Sequence, residues 1–434
     1  MTLPKIDLDL PASKAALQQS QEERRVNAVR QARKSAFFKG KFDAVDLDRI
    51  TDPKEWAKIP ILDKEQLREM SPDTFYNDFC INTRKDVTEF WRSGGSTGKP
   101  LFYPRTALDI HYGRIGFQRA LVLAGFTEED ITHMSLPLGI HPAGHMMARS
   151  GSDMGVGMVW AGGGNTLPSG AQLDLIRLFR PSSWIGMASY GIQLGNLAKS
   201  EGFDLSTSSV ERILCSAEPL SASKRAKLSQ LWGADVRDCY GMTEAMMLGC
   251  EDAACDGFRF WSDYCYPEVL DPDTLQPVDE GEPGLLVVTS LVTNNATPFL
   301  RWNTGDIVTI RHGVDRGTEF DVFPLIKHTH RTAGFVKVRG VNIGFTDLED
   351  LMFKSELVSD FRVEILWQDN RDELEVHVEL ADTTTEEDGS AQVAAMIERT
   401  FGVKPRIVLV SQGDIAKAFE GAFKPARILD LRGS

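Results

Sequence analysis

The chain has 434 residues, of which 42% are hydrophobic and 25% are charged, and its formal net charge is −14 at neutral pH. This length exceeds what a single hydrophobic core usually supports, so we expect at least two domains. The acidic balance excludes a general nucleic-acid-binding protein, because phosphate contacts require a basic surface.

The sequence carries neither a membrane signal nor a secretion signal. No apolar stretch approaches the roughly 18 residues that a membrane span requires. The first 25 residues contain early acids and no apolar segment, which argues against a signal peptide. Six cysteines in so long a chain do not make a disulfide framework. We therefore predict a cytoplasmic protein that does not associate with membranes.

The predicted elements begin with a long helix. Residues 13–38 alternate apolar and charged positions without glycine or proline, which is typical of a helix. A short extended segment, residues 59–62, then leads into a helix with Asp63 as its cap. From Thr88 the pattern is extended, is broken by a glycine-rich turn, and is extended again over residues 101–103.

The central part of the chain predicts two kinds of sheet. Between residues 107 and 250, helix-like segments alternate with short apolar runs such as 182–187 and 210–215, which indicates βαβ units around a largely parallel sheet. From 256 to 330, strands separated by turn clusters indicate an antiparallel part. The fold class is therefore α/β, with a large N-terminal domain at residues 1–330.

A small C-terminal α+β domain is predicted at residues 331–434. We treat residues 383–389 as a polar loop inside it, because they are rich in threonine and acids. The predicted elements are a strand at 335–341, a helix at 346–352, strands at 361–367 and 373–380, a helix at 391–401 and a strand at 406–410.

A glycine-rich stretch follows the first predicted strand. Its glycines let the backbone turn N–H groups inward, and its hydroxyls and lysine add donors and charge, which suits a phosphate. The spacing differs from a Walker A loop, and Pro100 favours a connection between two strands. An ordinary glycine-serine hairpin turn is the alternative. The candidate phosphate-binding residues are Ser93, Gly94, Gly95, Ser96, Thr97, Gly98 and Lys99.

Four further motifs, in order and at fitting spacings, carry a resemblance to a known family. They read DCYGMTE at 238–244, FWSDYCYPE at 260–268, LRWNTGD at 300–306 and VRGVN at 338–342. The chain resembles the adenylate-forming superfamily of acyl- and aryl-coenzyme A ligases, and within it the phenylacetate–coenzyme A ligase branch. The resemblance spans essentially the whole chain and implies ATP, Mg²⁺ and coenzyme A as the small molecules used.

The resemblance also implies roles for individual residues. The glycine-rich loop would close over the triphosphate, Thr243 would contact phosphate, and Glu244 would help to hold Mg²⁺, which suits a hard oxygen ligand. The implied nucleotide-binding residues are Ala217, Glu218 and Pro219 at the adenine pocket, Tyr240 stacked on adenine, Asp238 near its amino group, Gly241 and Met242 in the same motif, Asp306 at the ribose, and Arg331 at the ribose or phosphate.

Lys424 is implied as a catalytic residue that reaches the site from the C-terminal tail. Attack of a carboxylate on the α-phosphate brings two anions together, so a cation that neutralises the developing charge favours the reaction. Lys424 lies eight residues before Arg432, in the register that the family's tail shows. A surface lysine without this role is the alternative.

Four of the other candidates have plain structural alternatives. Glu244 could be an acid at a helix N-terminus, where the helix dipole stabilises it. Asp306 could cap a turn after a glycine. Tyr240 could be a core aromatic residue, and Arg331 a solvated arginine in a polar stretch.

The resemblance places the acid-binding pocket at four further residues. The candidates are His141, Gly163, Ser189 and Tyr190. A satisfied structural histidine is the alternative for His141. No residue dictates a particular ring, so an aromatic acid is favoured by the resemblance alone.

Three cysteines, Cys250, Cys255 and Cys265, lie within sixteen residues and raise the question of a zinc site. Their spacing is not of the CxxC type and a fourth ligand is not evident, so buried thiols are the favoured interpretation.

The predicted function is an AMP-forming ligase that activates an aryl acid with ATP and transfers the acyl group to coenzyme A. The family's acidic hinge pair is missing, since residues 330–334 read HRTAG. The alternative is therefore an adenylating enzyme whose acceptor is an amine, a hydroxyl or a carrier-protein thiol. A nucleotide-binding regulatory protein without turnover is a third reading. The sequence leaves the oligomeric state open, a homodimer included.

Overall fold

The structure is a computed structural model that describes residues 7–92, 102–331, 335–368, 371–381, 385–420 and 426–432, with the backbone alone at positions 330 and 331. The chain divides into two compact units. The first unit comprises Met1–Glu129, Leu138–Gly157 and Arg237–Thr332, and the second comprises Asp130–Pro137, Met158–Val236 and Ala333–Ser434. The predicted domains 1–330 and 331–434 stay a prediction.

The helices of the described ranges confirm most of the helical predictions. Helix α1 begins after Ser13, whose hydroxyl accepts from the Ala16 amide, and α3 begins after Asp63 in a capping box, as expected. None of these helices combines the length and apolar character that a membrane crossing needs. The α-helices are α1 Lys14–Ala32, α2 Pro53–Trp56, α3 Lys64–Arg68, α4 Pro72–Thr74, α5 Ala107–Leu123, α6 Pro142–Asp153, α7 Ser169–Phe179, α8 Ala188–Ser200, α9 Ala222–Trp232, α10 Phe345–Lys354, α11 Glu386–Phe401 and α12 Asp414–Ala418.

The strands of the described ranges confirm the predicted mixed α/β class. Those of residues 107–236 alternate with helices, and those of residues 246–331 follow one another without an intervening α-helix. The strands are β1 Val87–Arg92, β2 Phe102–Thr106, β3 Ile131–Met134, β4 Gly157–Trp160, β5 Ser183–Gly186, β6 Arg212–Cys215, β7 Asp235–Met242, β8 Met246–Glu251, β9 Phe258–Phe260, β10 Cys265–Leu270, β11 Gly284–Ser290, β12 Trp302–Arg311, β13 Leu325–Arg331, β14 Phe335–Val338, β15 Val341–Gly344, β16 Val358–Gln368, β17 Arg371–Leu380, β18 Arg406–Leu409 and β19 Ile428–Asp430.

The first unit is built on antiparallel strands. Strands β1 and β2 pair across the glycine-rich stretch, as predicted, and seven further strands follow the order β10-β11-β12-β13-β9-β8-β7. The antiparallel interpretation of residues 256–330 is therefore confirmed. One buried apolar cluster holds the β10, β11 and β12 strands together: Leu270, Leu285, Val287 and Ile307.

Two of the family-like motifs supply buried ion pairs that fix the first unit. Asp263 receives both terminal nitrogens of Arg119 at 2.8 Å, and both side chains are essentially fully buried. Arg301 donates to both carboxylate oxygens of Glu268, at 3.1 and 3.0 Å. Removing one partner of such a pair leaves a buried charge uncompensated, which costs about 3–5 kcal/mol. These motif residues therefore support the fold.

The second unit contains the parallel strands and the C-terminal elements. Strands β3, β5 and β6 pair in parallel, which confirms the βαβ interpretation for residues 131–215. Trp184 and Trp232 pack with ring centroids 5.3 Å apart in its core. The C-terminal part forms a sheet of order β18-β17-β16-β19 with α10, α11 and α12.

Two predictions for the C-terminal part are wrong. The single strand predicted at 335–341 is a hairpin, because Arg339 and Gly340 have positive φ angles of 49° and 85° and turn the chain between β14 and β15. The loop predicted at 383–389 is helical from Glu386 onward, where the Thr385 hydroxyl accepts from the Asp388 amide and caps α11. Its positions 382–384 lie outside the described residues.

A buried carboxyl cluster lies inside the second unit. Asp360 pairs with Arg427 and accepts from the Asn196 side-chain amide at 2.7 Å. Glu379, 1% exposed, accepts from the Ile415 amide at 2.7 Å. Burial raises the pKa of Glu379 to about 7; the amide bond opposes this shift and the Asp360 charge adds to it. The Glu379 carboxyl therefore changes charge near neutral pH.

Glu379→Gln is expected to remove a pH dependence of stability. The pKa of Glu379 in the folded state is raised above the ordinary 4.5. Its contribution to the free energy of unfolding is therefore fully present below pH 4.5 and is lost as pH rises through about 7. In urea denaturation, the free energy of unfolding of the variant should exceed that of wild type by about 1–2 kcal/mol at pH 8. At pH 4.5 it should not exceed that of wild type. The exposed Glu398→Gln is the control. Parallel pH profiles of wild type and Glu379→Gln would contradict the assignment.

Candidate nucleotide and acid site

One group of candidate residues forms a hydrogen-bonded cluster in the first unit. The Tyr240 hydroxyl on β7 donates to Asp306 Oδ2 at 2.6 Å, and His328 Nε2 on β13 lies 3.3 Å from Asp306 Oδ1. Phe258 stacks on the Tyr240 ring with centroids 5.6 Å apart. Asp306 is 1% exposed, so these partners hold its carboxylate in a fixed orientation.

Thr243 and Glu244 lie in the turn between β7 and β8. Arg105, fully buried, donates to the carbonyl oxygens of Thr243 at 2.5 Å and Glu244 at 3.0 Å. The alternative in which Glu244 begins a helix is therefore wrong, because no helix follows the turn: β8 starts at Met246. A buried guanidinium fixes the path of this turn.

The Glu244 carboxylate fits a role as a single protein ligand to Mg²⁺. Glu244 is 5% exposed, and among the described residues both Tyr103, which donates at 3.0 Å, and the Lys64 ammonium, at 3.7 Å, contact Oε1. Burial, together with the Glu244 charge, raises the pKa of Tyr103, so its hydroxyl stays protonated as a donor. Mg²⁺ in nucleotide sites commonly takes one or two carboxylates plus substrate phosphates.

Gly241 and Asp238 lie on β7, and both contact strand β8. A Cβ at Gly241 would lie 2.7 Å from the Met246 carbonyl oxygen, so only glycine allows β7 and β8 to approach here. Asp238 is buried, and its amide donates to Glu251 Oε2 at 2.8 Å. Met242 ends the strand and is half-buried.

The predicted adenine-pocket residues lie in the second unit, directly after β6. Ala217 has a φ angle of 72°, which turns the chain sharply, and Ala217 and Pro219 are exposed. Glu218 Oε1 accepts from the Ser189 amide at 2.6 Å and its hydroxyl at 2.7 Å. Glu218 therefore caps α8, whose own N-cap residue Met187 makes no side-chain bond.

Three of the four predicted acid-pocket residues also lie in the second unit. Ser189 and Tyr190 form the first turn of α8, and Gly163 precedes α7. The Tyr190 hydroxyl lies 3.1 Å from Ser169 Oγ, and a Cβ at Gly164 would lie 3.3 Å from the Tyr190 ring. This glycine loop therefore runs close to the Tyr190 ring.

His141 lies in the first unit as the N-cap residue of α6 and makes no side-chain cap bond. Burial lowers its pKa, while a backbone contact to Arg92 raises it, with a net downward shift. The neutral imidazole is therefore favoured at pH 7. The neighbouring His145 accepts the Gly139 amide at 2.9 Å through Nε2, which is a structural role.

Several predicted residues lie outside the described residues. They are Ser93, Gly94, Gly95, Ser96, Thr97, Gly98, Lys99 and Lys424. Arg331 is described by its backbone alone, which pairs with Asp306 across β12 and β13.

Sequence reasoning missed residues that hold the candidates in place. Arg105, Tyr103 and His328 contact Thr243, Glu244 and Asp306 as described above, across 22 to 141 positions of sequence. Lys224, buried, contacts Glu218 at 3.7 Å. Only the position of Tyr103 and Arg105 just after the glycine-rich stretch could have drawn attention to them.

The three cysteines do not belong to the possible metal-ligand group that the described residues form. One group of His, Cys, Asp and Glu ligand atoms comes close enough for a metal ion there, and it consists of Glu364, Glu375 and His377. Arg362 and Arg406 already pair with these two carboxylates, so the group reads as an ion-pair network. Cys250 and Cys265 are buried, as the favoured interpretation expected, whereas Cys255 is only half-buried.

The chain belongs to the family of AMP-binding enzymes: the family model matches residues 17–293, and the model of the AMP-binding enzyme C-terminal domain matches residues 340–432. The family resemblance read from the motifs is confirmed.

Among curated proteins the chain is similar to phenylacetate–coenzyme A ligases. It is 28% identical to that of Escherichia coli K12, over all of this chain and 99% of the relative, and 28% identical to that of Pseudomonas putida, over 89% and 87%. Among solved structures, 2-hydroxyisobutyryl-CoA ligase in complex with 2-HIB-AMP superposes with a TM-score of 0.83 at 19% identity, covering 100% of this chain and 94% of the other. This last likeness confirms the fold.

Proposed function

We propose that the protein is an AMP-forming acid–coenzyme A ligase. A carboxylate oxygen of the acid attacks the α-phosphorus of ATP and the bond to the β-phosphate breaks, which releases pyrophosphate. The thiol of coenzyme A then loses its proton and attacks the acyl carbon, which releases AMP. Family membership supports this reaction, and the observation that carries it is the cluster of Tyr240, Asp306 and His328 beside the turn of Thr243 and Glu244.

The proposed roles follow from the chemistry of the side chains. Asp306 offers a carboxylate that Tyr240 and His328 orient, which suits the ribose hydroxyls. Mg²⁺, when bound with ATP through Glu244, would offset charge on the phosphates. Lys424 would neutralise charge that develops on the α-phosphate. Residues 93–99 would bind the β- and γ-phosphates through backbone amides.

The substrate that we propose is an aryl or arylacetic acid. The curated relatives that match across nearly the whole chain are phenylacetate–coenzyme A ligases. The candidate acid-binding residues remain His141, Gly163, Ser189 and Tyr190. We further propose a cytoplasmic enzyme with the domains 1–330 and 331–434.

The test measures both half-reactions over a panel of acids. Purified protein is incubated with ATP, Mg²⁺ and each acid, and the adenylate is trapped with hydroxylamine as the hydroxamate. A parallel reaction with coenzyme A is analysed by mass spectrometry for the thioester. We expect hydroxamate and thioester from aryl acids; ATP binding by calorimetry without pyrophosphate release from any acid would overturn the proposal.

A second candidate differs only in the acyl acceptor. The stretch HRTAG at 330–334 lacks the family's hinge acid, which bears on the thioester step more than on adenylation. The protein would then pass the acyl group to an amine, a hydroxyl or a carrier-protein thiol. Rapid hydroxamate formation without any thioester in the presence of coenzyme A would favour this candidate.

A further inference from the structure

Helix α7 receives its N-terminal cap from a residue 251 positions away. Its N-cap residue, Pro168, offers no side-chain acceptor. The Ser169 amide instead donates to Glu420 Oε1 at 2.8 Å, and the Ser169 hydroxyl donates to Glu420 Oε2 at 2.5 Å. A carboxylate at a helix N-terminus both satisfies an orphan amide and interacts favourably with the helix dipole. Glu420 thus performs for α7 what Glu218 performs for α8.

The capped end of α7 is connected to the predicted acid pocket. Ser169 is fully buried. Its Oγ lies 3.1 Å from the Tyr190 hydroxyl and 3.4 Å from Gln193 Nε2. Burial raises the pKa of Tyr190, so the phenol keeps its proton. A displacement of Glu420 would therefore change the hydrogen-bond partners of a residue that lines the proposed pocket.

Glu420 can be replaced without opening a hydrophobic core. The residue is exposed although its carboxylate reaches buried Ser169. Hydrogen bonds to a charged group in such a partly exposed setting shift the equilibrium between the formed and the broken contact by about tenfold. Such a contact is strong enough to position a segment and weak enough to break during a catalytic cycle.

A second set of contacts involves Arg427, which lies C-terminal to Lys424. Arg427 pairs with Asp360, and Asp360 accepts from the side-chain amide of Asn196 on α8 at 2.7 Å. The proposed catalytic Lys424 lies four residues after Glu420 and three before Arg427.

We infer that Glu420 is a positioning residue for the adenylation half-reaction, acting through the α7 cap contact between Glu420 and Ser169. This inference rests on the proposed function, because it assigns Lys424 to adenylation. The contact holds Glu420, four positions before Lys424 in sequence, against the start of α7, where Ser169 also contacts Tyr190. Glu420 itself need not touch ATP or the acid.

The test compares Glu420→Gln with Asp414→Asn, an exposed acid on α12 whose side chain contacts Lys417 at 3.4 Å. ATP–pyrophosphate exchange in Glu420→Gln should fall about tenfold at saturating ATP and acid, with KM for ATP within about twofold. Thioester formation from preformed acyl adenylate and coenzyme A should stay unchanged. Asp414→Asn should match wild type in both assays.

A double-variant cycle tests whether Glu420 acts through Ser169. Ser169→Ala should resemble Glu420→Gln, and the variant that carries both substitutions should lose no more exchange activity than either one alone.

Hydrogen exchange tests the cap contact without any substrate. Amides at the start of α7 should exchange faster in Glu420→Gln than in wild type, and Asp414→Asn should leave them unchanged. Equal loss of both half-reactions, or exchange activity at the wild-type rate, would overturn the inference. Failure of the proposed function is recognised separately, because wild type itself would then form no adenylate.

Discussion

Asp306→Asn is expected to raise KM for ATP by about 10- to 100-fold, with a smaller effect on KM for the acid. The carboxylate has two oxygens held by Tyr240 and His328 and retains acceptor capacity for ribose hydroxyls. Asparagine keeps one acceptor oxygen and presents an NH₂ group to one of these donors. A hydrogen bond to a charged group is worth about 1.5–3 kcal/mol, which corresponds to the expected change. Initial rates of hydroxamate formation at varied ATP measure it.

Two variants separate nucleotide binding from a purely structural role. Tyr240→Phe removes one donor and leaves the charge, so its effect on KM should be smaller than that of Asp306→Asn. Asp252→Asn alters another buried carboxylate of the first unit, one that accepts from Arg259 at 3.1 Å, and should lower the melting temperature without changing KM for ATP. If Asp306→Asn behaves like Asp252→Asn, Asp306 only caps and orients its neighbours.

Local patterns predicted the elements whose signals lie within a few residues. The helix after Asp63 follows from the capping residue, and the parallel strands at 183–186 and 212–215 follow from short apolar runs. Periodicity and caps act over one or two turns of chain, so the sequence displays them directly.

The errors in the C-terminal part also have local causes. The pair Arg339-Gly340 forms the two-residue turn of the hairpin β14–β15, and the apolar residues on both sides have the pattern of one continuous strand. The predicted helix starts five residues after the true start of α11, at Ala391, because Glu386, Glu387 and Asp388 also resemble a polar loop. Acids in a first turn after a capping threonine are instead typical of a helix start.

The supports of the site could not be predicted because they depend on tertiary structure. Arg105 reaches the carbonyl groups of the Thr243–Glu244 turn across 138 and 139 positions, and Glu420 reaches Ser169 across 251. Neither residue belongs to a pattern with a fixed spacing. The motifs therefore predict candidate nucleotide-binding residues, while the residues that hold these candidates in place are evident only from the fold.

Lys424→Ala is expected to reduce ATP–pyrophosphate exchange by about 100- to 1,000-fold, the largest effect among the proposed variants. The reacting carboxylate and the α-phosphate are both anions, and removing one preorganised group that stabilises developing charge costs a factor of this size. Thioester formation from preformed adenylate should change little, because that step leaves the phosphorus untouched.

The matched control is Lys417→Ala, which removes an exposed ammonium seven residues earlier that contacts Asp414 at 3.4 Å. Both variants lower the net charge equally, so a general electrostatic effect on ATP binding would appear in both. Lys424→Arg keeps the charge but changes its shape, and partial activity would indicate that the position of the cation matters as well as its sign. Exchange at the wild-type rate in Lys424→Ala would remove Lys424 from the mechanism and, with it, the reason for Glu420 to act on adenylation.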